Sequence, residues 1–110
     1  MLVPYYDAPT DGAARLHPRD LVGACFEHDT RQLLLDHGAL PADFFDLSSG
    51  VAGELAQRLA NYAIRAAAVL PDPELHSGSF QAFAREAARA GQLRFFRSRD
   101  EAVAWLTSGT

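Results

Sequence analysis

Two adjacent serines followed by a glycine, Ser48-Ser49-Gly50, stand where a turn passes into an amphipathic helix. A serine at a helix start can cap it, and the same hydroxyl can accept a phosphoryl group. That charge would lie at the positive end of the helix dipole. The turn is expected to leave the backbone N–H groups of Gly50 and Val51 free to hold an anion. Asp43 and Asp46 would oppose the added charge, which sharpens its effect on any partner packed over the turn. Glu54, Gln57 and Asn61 follow on one helix face, with Tyr62 just beyond. They form a polar patch beside the turn, suited to a partner or a small ligand.

A second constellation is Asp36-His37, which closes a short apolar run. Reactive groups of parallel sheets gather at the carboxyl ends of strands. Asp36 and His37 are therefore the catalytic candidates, and with Ser49 they could mimic a nucleophile and its base. The sharp G-x-S-x-G elbow is missing, because the turn reads Leu-Ser-Ser-Gly. His17, His28, His37 and His76 are scattered and include no i, i+4 pair, so no metal site is expected, and no cofactor motif appears. Cys25 is the one cysteine, so an internal disulfide is ruled out, and its apolar helical setting reads as core.

The elements that must position these residues are read from periodicity. Leu2 to Tyr6 reads as a strand, Pro9, Asp11 and Gly12 as a turn, and Ala13 to Leu16 as a second strand. Pro18 suits a first helical position, and Leu21, Val22, Cys25 and Phe26 form an apolar stripe behind it. Gln32 to Leu35 is a buried strand. Pro41 to Leu47 is a tight, partly helical turn from which Phe44 or Phe45 should plug the core. Ser48 or Ser49 then caps a helix from Gly50 to about Ala60, with Val51, Leu55 and Leu59 inside. Ala63 to Leu70 is a central strand despite its alanines. Pro71 to Gly78 is a loop. Phe80, Phe83, Ala84, Ala87 and Ala88 line another helix, ended by Gly91. Leu93 to Phe96 is a short strand, and Ser98 with Glu101 makes a capping box for a last helix that buries Val103 and Leu106. Alternation of this kind predicts an α/β domain with a mixed, mostly parallel sheet of four or five strands and about four helices. Residues 1–110 form one such domain, with 1–12 a loosely attached N-terminal strand.

Composition narrows the function classes. The chain has 110 residues, 48% hydrophobic and 22% charged, with a formal net charge of −4. Residues 1–54 hold nine acids against three arginines, and residues 55–110 hold five against seven. An acidic chain is a poor nucleic-acid ligand, and the arginines of the second half read as a solvated face. No apolar run is long enough to span a membrane, and no signal peptide is visible, so a cytoplasmic location is expected.

Two resemblances sharpen the reading. The strand, the Asp-Leu-Ser-Ser-Gly-Val turn, the helix behind it and a final Glu-Ala-Val-Ala-Trp-Leu helix resemble the STAS domain of bacterial anti-sigma-factor antagonists. That resemblance implies that Ser49, before the glycine, accepts phosphate from a protein kinase, that Asp36 is the strand-end aspartate, and that a regulator docks on the turn. Here Leu47 separates Asp46 from the serines, a departure from the family's Asp-Ser-Ser-Gly. A second resemblance covers about residues 12–106. Phe44-Phe45-Asp46-Leu47, Ser49-Gly50, Ala52-Gly53-Glu54, Gln57 and Asn61-Tyr62 are similar to the bacterial family labelled domain of unknown function 4180. That family implies no activity.

The sequence therefore points to a small bacterial regulatory or protein-interaction module with a phosphorylatable Ser–Gly turn. The alternative is a small enzyme or ligand-binding protein of a biosynthetic pathway, with a pocket built from Asp36, His37, Ser49, Glu54 and Tyr62. A third reading is a structural homodimer, which excess exposed apolar area on one sheet edge or helix face would favour. Neither nucleic acid nor membrane is expected as a partner.

Overall fold

The computed structural model describes residues 5–8, 18–40 and 42–108. The expected strand at 13–16, the turn before it, His17 and Pro41 lie outside those residues. Four strands form one sheet: β1 (Tyr6–Asp7), β2 (Gln32–Leu35), β3 (Arg65–Val69) and β4 (Leu93–Phe96). The helices are α1 (Pro18–Glu27), α2 (Val51–Asn61), α3 (Gly78–Ala90) and α4 (Arg99–Thr107). All three pairings are parallel and the spatial order is the chain order. The α/β architecture matches expectation, and the described sheet is parallel throughout rather than mixed.

That order dictates where the helices go. Each crossover steps one strand in the same direction, and right-handed crossovers then place every connecting helix on one face. The strand pleat sorts the core accordingly. Leu33, Leu35, Ala66, Ala68 and Leu93 pack with the buried residues of α1, α2 and α3, among them Leu21, Cys25, Leu55, Leu59 and Phe80. Leu34, Ala67 and Val69 point to the other face, where α4 covers them with Ala102 and Leu106. A strand covered on both faces reads as a continuous apolar run, which is why Gln32–Leu35 and Arg65–Val69 do not alternate.

The alanines of β3 now have a physical reason. Alanine is a poor strand former, but β3 is the strand between β2 and β4 and has helices above and below it. Small side chains let both layers approach. Arg65, at the start of β3, holds α4 in place. Its guanidinium lies 4.2 Å from the Trp105 ring centroid and donates to the Trp105 carbonyl at 3.3 Å. One expected core residue is outside: Phe26 is 52% exposed and meets the exposed Tyr62 ring edge-on at 5.4 Å. It follows Cys25 on α1, one step around the helix from the buried stripe.

If tight approach fixes β3, then Ala67→Leu should cost about 1–3 kcal/mol by overpacking under α4. A urea melt should show a lower midpoint at an unchanged slope. A midpoint equal to wild type would mean the α4 layer is loosely packed.

Candidate functional site

The chain leaves β2 at Leu35 and does not reach α2 until Val51. Between them, two 3-10 turns, Ala42–Phe45 and Leu47–Ser49, build the Ser–Gly segment. Phe44 anchors it. This side chain is 1% exposed and touches Phe80 and Phe95, with ring centroids 5.9 and 6.2 Å away. Phe45, half-buried, stacks on His76 at 4.3 Å.

Asp46 has a defined role despite the intervening Leu47. Its Oδ1 accepts from the Ser48 backbone N–H at 3.0 Å and from the Ser48 hydroxyl at 2.6 Å, capping the second 3-10 turn. The Ser49 hydroxyl donates to the Asp43 carbonyl at 2.6 Å and accepts from the Val51 N–H at 3.3 Å. Gly50 occupies the N-cap position of α2 in a left-handed conformation, φ 82°, which a side chain would strain. Two expectations are corrected here. Gly50, not Ser48 or Ser49, is the N-cap residue, and Ser49 reaches Val51 N–H from one residue further back. The two N–H groups are not free either, since Gly50 donates to the Leu47 carbonyl at 3.1 Å and Val51 to Ser49.

Ser48, Ser49 and Gly50 are all exposed. Among the described residues the Ser49 hydroxyl bonds only to backbone groups, and no described side-chain base is hydrogen-bonded to it.

The remaining candidates do not converge on it. Asp36 Oδ1 accepts from the His37 backbone N–H at 2.7 Å and its Oδ2 accepts from Arg99 at 2.6 Å. The His37 residue is exposed, and no described hydrogen bond joins its ring to Ser49. Glu54 pairs with Arg58 at 2.9 Å and Gln57 with Asn61 at 3.0 Å, so the polar face of α2 is largely satisfied by itself. Tyr62, 43% exposed, lies at the far end of α2. The eleven residues of α2 lie between it and Gly50, and twelve steps at about 1.5 Å rise separate the two by roughly 18 Å. Among the described residues no group of histidine, cysteine, aspartate and glutamate is placed to hold a metal ion.

Sequence reasoning missed the strongest polar cluster. Arg99, the first residue of α4, bridges Asp7 at 2.7 Å and Asp36 at 2.6 Å. A cation at a helix start opposes the dipole, and the two carboxylates offset that cost. Hydrogen bonds that Arg99 donates to Asp7 and then Asp36 push its pKa further up, so it stays charged. The only signal was an acid at each of two strand ends and an arginine opening the last helix; their partners are 92 and 63 residues apart in sequence.

The sequence profile of the family described as Domain of unknown function (DUF4180) matches residues 13–106. The chain belongs to the DUF4180 family. The match contains the Ser–Gly turn, Asp36 and Arg99, and excludes β1 with Asp7. No curated protein and no solved structure matches the chain.

Two outcomes follow from the geometry. Ser49→Ala removes two exposed hydrogen bonds that water can partly replace, so it should cost about 1 kcal/mol in a urea melt; a loss of several kcal/mol would mean the turn anchors the core. Cys25 is fully buried, and burial pushes its thiol from about 9 to about 11. The unfolded thiol ionises first, so this contribution to stability is intact below pH 9 and falls between pH 9 and 11. Native protein should resist thiol reagents at pH 8, and rapid labelling there would show that Cys25 is reached without unfolding.

Proposed function

We propose that this DUF4180 protein is a small cytoplasmic regulatory, protein-interaction module whose Ser–Gly turn is a reversible docking switch. Ser49 is the residue a protein kinase modifies, and a regulator is the partner that docks on the turn. The single observation that carries this reading is an exposed hydroxyl held between the Asp43 carbonyl and the Val51 N–H, with no base beside it.

Phosphorylation would act on that geometry directly. It replaces a donating O–H by acceptor oxygens, so the bond to the Asp43 carbonyl is lost. The phosphate would then stand close in sequence to Asp43 and Asp46, both exposed, while the start of α2 attracts it. The turn must rearrange, and a partner seated on it would feel both the new charge and the new shape. Half-buried Phe45 and Leu47 supply apolar surface within the segment.

The STAS-like reading belongs to this proposal and rests on the turn, not on the sheet, which is parallel throughout among the described residues. The alternative pocket of Asp36, His37, Ser49, Glu54 and Tyr62 gains no specific support, since Asp36 is committed to Arg99 and Tyr62 sits at the other end of α2.

A partner that co-purifies with the wild-type chain provides the test. By calorimetric titration, Ser49→Asp should weaken its binding about tenfold or more, while Ser49→Thr, which keeps a hydroxyl, should bind like wild type. Equal affinity for wild type and Ser49→Asp would contradict the switch.

A further inference from the structure

A cavity of about 180 Å³ opens where α3 crosses the carboxyl ends of β3 and β4, and the function proposed above makes no use of it. Its walls are apolar: Leu70 follows β3, Phe95 lies in β4, Phe80 and Ala84 come from α3, and Pro73 from the connecting loop. Leu70 and Phe80 are buried, so the depth of the cavity is set by core side chains rather than by surface loops.

The polar part of the lining is small. Gln81 already donates its amide nitrogen to the His76 carbonyl at 2.9 Å. Arg85 is the one charged residue in the lining. It is exposed, and it makes no hydrogen bond or ion pair with any described residue. The acids around it are engaged elsewhere: Glu86 pairs with Arg89 at 3.1 Å, and Glu74 with Arg97 at 3.3 Å. The lining thus combines an apolar floor with one unpaired guanidinium and holds no carboxylate.

From this combination we propose that the cavity binds a small monocarboxylic acid whose apolar body is about the size of one six-membered ring. An apolar cavity of about 150 Å³ is enough for a benzene-sized molecule, so the volume suits one ring. The ring packs among Leu70, Phe80 and Phe95, and the carboxylate pairs with Arg85, whose planar donors match that group. The binding chemistry makes no use of Ser49, although Phe80 and Phe95 also pack against Phe44 of the Ser–Gly segment.

The test uses the full chain, isotopically labelled, with benzoate and its neutral counterpart benzyl alcohol as probes in two-dimensional amide NMR titrations. Benzoate should give saturable shifts confined to residues around 70–73, 80–85 and 95. Benzyl alcohol should bind the same residues about tenfold more weakly, the size of one charge-assisted contact. Arg85→Gln, at an exposed position, should weaken benzoate about tenfold and leave benzyl alcohol unchanged. Ala84→Trp should fill the cavity and remove both. The proposal is overturned if benzoate gives no saturable shifts, if the two probes bind wild type equally, or if Arg85→Gln leaves benzoate affinity intact. The outcome for Arg85→Gln decides the matter even if Ala84→Trp perturbs the fold.

Discussion

Parallel pairing of the four strands is the constraint on which the rest of the structure depends. It sends every strand's carboxyl end to one edge of the domain. Asp7 at the end of β1, Asp36 after β2, the Ser–Gly segment leading to α2, the loop after β3 and Arg99 at the start of α4 are neighbours for that reason alone. Side-chain contacts span this edge: Arg99 reaches both Asp7 and Asp36, and Phe45 stacks on His76 from the next crossover. An antiparallel strand in the same place would have carried its acid to the opposite edge.

The same topology creates a weakness and its remedy. Three crossovers fill one face of the sheet and leave the other to α4, a helix of nine residues. So short a helix has little independent stability and depends on tertiary contacts. Leu106 and Ala102 provide the buried area, the capping serine Ser98 receives the Glu101 N–H, and two arginines fasten the ends. Arg65 grips Trp105 from the sheet below, and Arg99 ties the helix start to β1 and β2. Exposed ion pairs individually contribute little, about 0–1 kcal/mol. Here they matter chiefly by fixing where α4 sits on Leu34, Ala67 and Val69.

Features set by neighbours a few residues apart were legible in the sequence. The stripe of Leu55 and Leu59, the Ser98–Glu101 capping box and Gly91 as the left-handed end of α3 follow from local spacing and are all present, and of the two adjacent rings expected to plug the core Phe44 is the buried one. What escaped notice depends on distant chain. Arg99 looked like one more arginine on a basic face because its partners belong to β1 and to the end of β2. Phe26 extends the apolar stripe of α1 in sequence but lies one step around the helix from buried Cys25, where no described layer covers it. At the Ser–Gly turn, residue types revealed that a helix begins, but not that a 3-10 turn capped by Asp46 comes first. That extra turn moves the N-cap to Gly50 and uses the N–H groups that seemed available for an anion. The Leu47 insertion, which set this chain apart from the Asp-Ser-Ser-Gly pattern, is the first residue of that turn.

The functional account reduces to Ser49: an exposed hydroxyl, oriented by two backbone groups, on a segment pinned by Phe44. The most direct measurement is phosphopeptide mapping by mass spectrometry of the protein isolated from its own cells under several growth conditions. The account predicts a phosphoryl group on Ser49 in a condition-dependent fraction of molecules. Complete coverage of the turn peptide with Ser49 unmodified in every condition, or phosphate on Ser48 alone, would contradict it.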